Sequence, residues 1–374
     1  MTGEIRKNTV LSHDLRMIAW EVTRRCNLNC VHCRAGSADV DYEGELTTQE
    51  CLAVVDDVVS FSNPVIILTG GEPYMRDDIF ELAAYGTERG LRMVLATNGT
   101  VVDDACAVKT REAGIQRVSV SIDGRDATRH DTFRGVPGAF DGAIRGIEAF
   151  KRQGVPFQIN TTITRRNYAE TADILDLAIR LGAAACHIFL LVPTGRARDM
   201  ASEEISPEKY EEVLEWFYER GRDCPIELKA TCAPHYTRIV RQHGRQEKVK
   251  KTQVPFAGGG RRQGCLGGVS FCFISHTGRV QPCGFLDLEC GSIKRQTLSV
   301  VWPQSPVFAR LRDCSLYTGK CGRCEYRVVC GGCRARAYEA TGDYMAEEPY
   351  CLYEPRVGRM GGETDVMEGR RGDG

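Results

Sequence analysis

The stretch Met17-Ile-Ala-Trp-Glu-Val-Thr-Arg-Arg-Cys26-Asn-Leu-Asn-Cys30-Val-His-Cys33 decides how this chain folds. It begins as an apolar run typical of a buried strand, and three cysteines spaced C-x3-C-x2-C follow. Three thiolates on one short loop can ligate three irons of a [4Fe–4S] cluster. Because such a cluster has four irons, one iron is left without a protein ligand, like the open position of a catalytic metal site. The stretch therefore predicts a strand with a reactive cluster at its carboxyl end.

Apolar runs alternate with helical segments from Ile18 to about Val192. The predicted strands are 18–22, 65–68, 92–96, 117–122, 157–162 and 187–191, and the predicted helices are 49–60, 79–89, 104–113, 139–153 and 170–181. Strands that alternate with helices in this way form right-handed βαβ units around a parallel sheet. The fold class we predict is therefore α/β, a partial (β/α)6 TIM-like barrel with a cysteine-rich C-terminal domain. In such barrels the active site lies in the loops after the strands, where the three cysteines stand.

The rest of the chain divides by composition. We expect an N-terminal extension at 1–16, the barrel at 17–195, a helical bridge with a Gly-rich linker at 196–260, the cysteine-rich domain at 261–355 and a disordered tail at 356–374. The bridge contains an amphipathic helix at 207–221 that ends at a glycine. The basic run Gly258-Gly-Gly-Arg-Arg262 marks the linker region.

Composition limits the class of protein. The formal net charge of −1 over 374 residues favours no nucleic-acid or membrane partner. No apolar run approaches the roughly 18 residues of a membrane-spanning helix, and the first residues form no apolar signal segment, so we expect a cytoplasmic protein. The 18 cysteines are too many for an average cytosolic enzyme. Disulfides are typical of small secreted domains, whereas zinc stays an alternative for the paired Cys321, Cys324, Cys330 and Cys333.

Motifs at successive strand ends resemble the radical S-adenosylmethionine (SAM) superfamily over residues 18–192. Thr69-Gly70-Gly71-Glu72-Pro73 is similar to its GGEP motif, and Ser121-Ile122-Asp123 to the stretch that contacts the ribose and the methionyl carboxylate. The resemblance implies that the catalytic [4Fe–4S] cluster, whose open iron binds SAM, is ligated by Cys26, Cys30 and Cys33. It also implies a set of SAM contacts: His32, Gly70, Gly71, Glu72, Asn98, Ser121, Asp123, Arg134 and Leu191.

The chemistry of several of these residues suits SAM. Glu72 can pair with the ammonium group and Arg134 with the carboxylate, while Gly70 and Gly71 let the backbone approach the ligand closely. Each motif alone also fits a tight turn, so their order along the barrel is what carries the assignment.

A second set of cysteines follows the linker. Cys265-x12-Gly278-x4-Cys283, then Cys321-x2-Cys324-x5-Cys330-x2-Cys333 and Cys351, resembles the SPASM domain, a radical SAM extension that holds auxiliary clusters. The resemblance implies one [4Fe–4S] cluster on Cys265, Cys272, Cys283 and Cys333, and a second on Cys321, Cys324, Cys330 and Cys351. The usual pattern has three residues before the last clustered cysteine, but here only two glycines precede Cys333. Six others are expected to pack as small apolar side chains: Cys51, Cys106, Cys186, Cys224, Cys290 and Cys314.

The cysteine-rich end and the segments 191–196 and 229–235 resemble the tetrapyrrole-modifying radical SAM enzymes of the siroheme-dependent route to heme. The resemblance implies an oxidoreductase of heme biosynthesis. In it, a 5′-deoxyadenosyl radical abstracts a propionate hydrogen, and two propionates of Fe-coproporphyrin III become the vinyls of heme b. Sister enzymes that remove acetate side chains, giving Fe-coproporphyrin III or heme d1 precursors, and peptide-modifying maturases stay open as alternatives. The implied partners are an iron tetrapyrrole and a reducing donor such as ferredoxin or flavodoxin, and we expect a monomer.

An anionic, planar substrate needs cationic side chains for its carboxylates and an apolar slot for its ring. We consider Arg196, Arg198, Arg238 and Arg241 for the carboxylates, each of which also fits a solvated surface charge. His235 could ligate the porphyrin iron through a neutral imidazole, with Cys232 as the competing axial ligand.

Overall fold

A computed structural model describes residues 14–246 and 264–356. Within these ranges one sheet contains β1 (Met17–Thr23), β2 (Val65–Gly70), β3 (Arg92–Thr97), β4 (Val118–Ser121), β5 (Phe157–Ile163), β6 (Ala185–Leu190), β7 (Glu227–Thr231), β8 (Phe271–Ile274), β9 (Arg279–Gln281) and β10 (Gly291–Ser292). The strand order is β10-β9-β8-β1-β2-β3-β4-β5-β6-β7. Strands β1 to β6 are parallel and adjacent in chain order, which confirms the predicted α/β class.

The helices are α1 (Thr48–Phe61), α2 (Ile79–Glu88), α3 (Asp104–Glu112), α4 (Ala127–Arg134), α5 (Ala139–Arg152), α6 (Thr171–Leu181), α7 (Pro207–Arg220), α8 (His235–Gln246), α9 (Leu298–Gln304), α10 (Pro306–Arg312), α11 (Gly319–Arg323) and α12 (Arg334–Thr341). Helices α1 to α6 lie in the connections between β1 and β6. Helix α4 was not predicted because its sequence has little apolar periodicity. It is fixed by its ends instead, since the Asp126 side chain caps it and Gly135 stops it in a left-handed conformation.

Two parts of the sheet lie beyond the predicted barrel. β7 pairs parallel with β6, with Glu227 opposite Ala185, although its sequence Glu-Leu-Lys-Ala-Thr contains no apolar run. β8 pairs parallel with β1, with Cys272 opposite Ile18. The cysteine-rich segment therefore contributes strands to the same sheet as the barrel, so one sheet continues across the domain boundary predicted at 261.

Alternate residues of β1 face opposite sides of the sheet. Ile18, Trp20 and Val22 are almost fully buried in the main core, which also contains the inward face of α1. The intervening Glu21 points to the other side and is fully buried as well. Burial on both faces makes β1 a fixed support for the cysteine loop that follows it.

Some predicted segments lie outside the described residues. These are the basic glycine-rich run at 258–262, the tail from 357 and the extension up to residue 13. Within the described parts of the chain, no helix is both long enough and apolar enough to cross a membrane.

Candidate active site

The three closely spaced cysteines lie on the loop after β1. Cys26 and Cys30 are buried, while Cys33 is partly exposed. Backbone N–H groups of Leu28 and Ser37 point at the sulfurs of Cys26 and Cys33, each at 3.4 Å. Burial raises the pKa of Cys26 to about 12, so cluster binding must displace a proton from this thiol.

Arg196 fastens this loop from the segment after β6. Its Nε donates to the carbonyl of Cys30 at 3.0 Å and its Nη1 to that of Ser37 at 2.7 Å, while its backbone N–H donates to the carbonyl of Cys33 at 3.0 Å. Its Nη2 is buried and has no hydrogen-bond partner among the described residues. The Arg196 guanidinium is therefore built into the cysteine loop, and its role toward a substrate carboxylate stays a prediction.

Glu72 lies after β2 and is fully buried. Its carboxylate accepts hydrogen bonds from the Thr97 hydroxyl at 2.8 Å and from the N–H groups of Asn98 at 2.7 Å and Tyr74 at 3.2 Å. Burial nevertheless raises the pKa of Glu72 to about 7. The side-chain amide nitrogen of Asn98 lies 3.9 Å from the sulfur of Cys26. Asn98 therefore connects the Glu72 carboxylate to the cysteine loop.

Gly70 and Gly71 lie where the backbone after β2 packs closely against the start of the cysteine loop. A Cβ on Gly71 would lie 2.3 Å from the carbonyl oxygen of Arg25, and a Cβ on Gly70 would lie 2.3 Å from that of Thr23. The Gly71 N–H also donates to the Thr23 carbonyl at 2.8 Å. The glycines thus let the backbone after β2 pack against the start of the cysteine loop, whatever the ligand is.

Asp123 and Arg134 form a buried ion pair beside the loop. The Nη2 of Arg134 is 2.5 Å from Oδ2 of Asp123, and its Nη1 is 3.6 Å from the sulfur of Cys30. Burial alone would raise the pKa of Asp123, but Arg134 holds it below its ordinary value. His32 stacks on Phe133 and lies 3.8 Å from the same carboxylate, and burial lowers its pKa to about 4. One cation, one anion and a neutral ring can together orient a zwitterionic ligand.

The last two predicted SAM contacts lie at neighbouring strand ends. Ser121 ends β4 opposite Asn160, and Leu191 follows β6, where its carbonyl accepts a hydrogen bond from Arg336 at 2.9 Å. Eight of the nine predicted contacts therefore lie at the carboxyl ends of β1 to β6 or in the loops that follow, and Arg134 ends helix α4, which follows β4. Their role as SAM contacts stays a prediction.

The remaining substrate arginines differ from each other. Arg238 is 4% exposed, its Nη2 is 2.6 Å from both carboxylate oxygens of Glu211, and its Nη1 donates to Gln242 at 2.7 Å. The expectation that it binds a substrate carboxylate is corrected, because protein acceptors already hold both terminal nitrogens. Arg198 keeps 65% of its side chain exposed and lies 3.9 Å from Glu339.

One pocket is lined by the cysteines of the predicted second auxiliary site, Cys321, Cys324, Cys330 and Cys351. The N–H groups of Tyr326 and Glu348 lie 3.4 Å from the sulfurs of Cys324 and Cys321. Among the described residues, no three His, Cys, Asp or Glu side chains converge as they would around one metal ion. Cys333 packs with a different set of side chains, so the quartet weighed for zinc is not assembled as a unit.

His235 begins α8 and lines this pocket. It is 1% exposed, and neither ring nitrogen has a hydrogen-bond partner among the described residues. Its Nε2 is 3.8 Å from Glu348, its ring packs edge-on against Tyr210, and burial lowers its pKa to about 4. The pocket contains none of the predicted SAM residues. The imidazole therefore faces a group of cysteines, and the hypothesis that His235 ligates the porphyrin iron stays a prediction.

The first predicted auxiliary quartet is only partly assembled. Burial and, to a smaller extent, the neighbouring thiols of Cys265 and Cys333 raise the pKa of Cys283 to about 12. Cys272 instead lies in the main core, in the neighbourhood of Cys290. β8 therefore holds the Cys272 thiol among core side chains, apart from the other three cysteines of the predicted quartet.

Sequence reasoning missed a buried charge network that joins the two cysteine regions. Against the effect of burial, Arg34 and His276 lower the pKa of Glu21 to about 2. The Nη2 of Arg34 donates to Glu21 at 2.5 Å, and its Nη1 donates to the carbonyl of Gly284 at 3.3 Å. Because Arg34 follows Cys33 and Gly284 follows Cys283, one guanidinium links both loops. The signal in the sequence was a carboxylate within an apolar strand, which needs a buried cation.

Two family models match the chain. That of the radical SAM superfamily matches residues 20–178, which contain the cysteine loop and the ends of β2 to β5. That of SPASM, an iron–sulfur cluster-binding domain, matches residues 265–333. The second match begins at Cys265 and ends at Cys333.

Several relatives are similar over nearly the whole chain. An AdoMet-dependent heme synthase of Oleidesulfovibrio alaskensis is 54% identical over 91% of this chain and 88% of its own length. One of Methanosarcina barkeri is 52% identical over 91% of this chain and 97% of its own. A Fe-coproporphyrin III synthase of M. barkeri is 33% identical over 90% of this chain and 87% of its own length. In fold, Streptococcus suis SuiB bound to the precursor peptide SuiA aligns with a TM-score of 0.72 at 15% identity, over 91% of this chain and 76% of that one.

Proposed function

Because this chain belongs to the radical SAM superfamily, in the family of those AdoMet-dependent heme synthases, we propose that it converts Fe-coproporphyrin III to heme b by decarboxylating two propionates. It is an enzyme that binds a [4Fe–4S] cluster and SAM and, through its SPASM domain, auxiliary iron–sulfur clusters. An iron tetrapyrrole would be the substrate. A reducing donor of the ferredoxin or flavodoxin class, a cytoplasmic location and a monomeric state stay predictions.

One observation carries this proposal. Identity to the heme synthases is 54% and 52%, whereas identity to the Fe-coproporphyrin III synthase is 33%. Each comparison spans about nine-tenths of this chain, so the identities refer to nearly the same length of sequence. It favours the decarboxylation of propionates over the sister reaction on acetate side chains.

The proposed reaction is an oxidation and needs an electron acceptor, a role that an auxiliary cluster could fill. The cluster on Cys26, Cys30 and Cys33 and bound SAM would supply a 5′-deoxyadenosyl radical, which takes a hydrogen atom from the propionate carbon β to the carboxylate. The substrate then loses CO2 and one electron and becomes a vinyl group, so two propionates need two turnovers. A cluster close to the barrel mouth is a suitable first acceptor for that electron.

The residues of the chain would position the reactants and keep the site dry. Glu72 and Asp123 are at most 1% exposed and Arg134 is 8% exposed. Charge interactions are strong where water is excluded, and a primary radical is protected from the solvent there. Glu72 would hold the ammonium group of SAM, and the Asp123–Arg134 pair its amino-acid portion. Among the arginines considered for substrate, Arg198 and Arg241 have the exposure needed to meet a propionate.

The test is a turnover assay on anaerobically reconstituted enzyme with SAM, dithionite and Fe-coproporphyrin III. We expect mass spectrometry to show two successive losses of the elements of formic acid, each matched by one 5′-deoxyadenosine. The Cys26→Ala variant should give neither product. Cleavage of SAM without any change in the porphyrin would overturn the proposal, and conversion of didecarboxysiroheme instead would assign the sister reaction.

A further inference from the structure

Cys272 lies on the wrong face of its strand to share a cluster with Cys283. Successive side chains of a strand point to opposite faces. The next residue, Phe273, packs under the Arg34 guanidinium at 4.5 Å from its ring centroid, and a Cβ on Gly284 would lie 3.3 Å from the Phe273 ring. Phe273 therefore points toward the loop that carries Cys283. Cys272 points away from that loop, is fully buried and belongs to the main core.

The other three cysteines of the predicted quartet are brought together by direct contacts. Cys283 packs on the small cluster that contains Cys333. The Cys265 N–H donates to the carbonyl of Cys330 at 3.0 Å, which fixes Cys265 beside the loop that ends in Cys333. A Cβ on Gly267 would lie 3.7 Å from Cβ of Cys283, so the segment between Cys265 and β8 also touches Cys283. Three thiols from distant parts of the sequence thus share one neighbourhood.

Cys232 enters the same neighbourhood from the segment between β7 and α8. Its side chain packs on the cluster that contains Cys333 and Cys283. A Cβ on Gly264 would lie 2.9 Å from Pro234, so the residues after Cys232 touch the residue before Cys265. Burial raises the pKa of the Cys232 thiol well above its ordinary value, and the thiols of Cys333, Cys283 and Cys265 raise it further.

The backbone of Cys232 is held in an unusual conformation. Its φ of 56° is the one positive value at a non-glycine residue in the described parts of the chain. The carbonyl of Cys232 accepts hydrogen bonds from the Tyr210 hydroxyl at 3.0 Å and from Nη1 of Arg336 at 3.3 Å. A left-handed conformation is unfavourable for a residue with a Cβ, and these two bonds help to maintain it. The chain therefore aims this thiol in a fixed direction.

We propose that Cys232, Cys265, Cys283 and Cys333 are the four thiolate ligands of one auxiliary [4Fe–4S] cluster, and that Cys272 is a core residue. With four protein ligands the cluster has no open iron, so it suits electron transfer and not the binding of substrate. Arg336 also donates to the carbonyl of Leu191, at the end of β6, so this cluster would lie beside the barrel mouth. The assignment does not depend on which tetrapyrrole is the substrate.

The experiment compares two alanine variants in a chain that lacks the first cluster. In a Cys26→Ala, Cys30→Ala, Cys33→Ala background, Cys232→Ala and Cys272→Ala are reconstituted anaerobically. Iron and sulfide per chain and the electron paramagnetic resonance spectrum of the reduced protein are then recorded. Cys232→Ala should lower the iron content about twofold, or keep a cluster that loses one iron on mild oxidation and shows a [3Fe–4S] signal. Cys272→Ala should match the background in both measurements.

Two outcomes would overturn the assignment. One is a Cys232→Ala variant whose iron content and spectrum equal those of the background. The other is a loss of iron in Cys272→Ala that equals the loss in Cys232→Ala. Circular dichroism before reconstitution shows whether each variant folds. If Cys272→Ala does not fold, Cys272→Val replaces it, because valine fills the core site but cannot ligate iron.

Discussion

The barrel and the cysteine-rich region hold their cysteines in opposite ways. In the barrel, Cys26, Cys30 and Cys33 lie on one loop, and the strand before it fixes their position. In the cysteine-rich region, thiols that share a neighbourhood come from segments far apart, such as Cys232 and Cys333. A local spacing can therefore identify the first group of ligands. The second group depends on strand faces and on long-range contacts, which spacing does not determine.

Removing one cysteine from each region should separate their functions, and this is the largest effect we expect. Cys30→Ala should lower SAM cleavage below detection, because the cluster with the open iron is lost. Cys351→Ala should lower heme formation much more than SAM cleavage, because it disturbs a cluster that does not bind SAM. The measurement is 5′-deoxyadenosine and heme formed per chain under anaerobic conditions.

Cys51→Ala is the matched control for both variants, since Cys51 is a fully buried thiol of the main core outside every cysteine group. It should keep both activities within about twofold. Equal loss of SAM cleavage in Cys30→Ala and Cys351→Ala would show that the two regions are not separable, and would break the comparison.

The limits of sequence reasoning follow the same division. The six barrel strands, five of the six helices between them and α7 agree with the prediction to within a few residues, because their apolar periodicity is local. Periodicity does not show α4 and β7, because a cap and a neighbouring strand determine them. The resemblance implies Cys272 as a ligand, but the place of its thiol among core side chains follows from the pairing of β8 with β1, which spacing does not show. The acceptors of Arg196 and Arg238 likewise lie elsewhere in the chain, so the sequence does not show these contacts.

Arg34 is the residue at which the two regions meet, and its removal should have the next largest effect. Arg34→Ala leaves Glu21 buried with a weaker set of partners and breaks the bond to Gly284. Removing one partner of a buried pair costs about 3–5 kcal/mol, and the cost here should lie at or below the lower end of that range, because His276 and Arg24 still pair with Glu21. We expect a lower midpoint of thermal unfolding and more 5′-deoxyadenosine formed per heme.

The control is Arg152→Ala, which removes an exposed pair with Asp104 at 2.8 Å. Exposed pairs contribute about 0–1 kcal/mol, so the midpoint should hardly change. If Arg34→Ala and Arg152→Ala lowered the midpoint equally, the link between the two cysteine loops would contribute no more to stability than an exposed ion pair.

The smallest effect we expect is a pH dependence that belongs to the barrel alone. Burial raises the pKa of Glu72 from 4.5 to about 7. Only the ionised carboxylate pairs with the ammonium group of SAM, so affinity should rise as pH increases through about 7, until that α-amino group itself loses its proton at about pH 8. Below about pH 7 it should fall by up to about tenfold per unit. For the SAM-free fold the sign is opposite, since the stability that this group contributes is present below pH 4.5 and is lost as pH rises through about 7.

Titration of reconstituted enzyme with SAM between pH 6 and 8 by calorimetry measures this profile. His32 cannot produce it, because its pKa of about 4 keeps the ring neutral over the whole range. Glu72→Gln should bind SAM more weakly and lack the rise through pH 7, whereas Cys290→Ala, a core change in the cysteine-rich region, should keep the wild-type midpoint. A midpoint that moved in Cys290→Ala but persisted in Glu72→Gln would place the titrating group in the cysteine-rich region. The ammonium site would then have to be sought outside the barrel mouth.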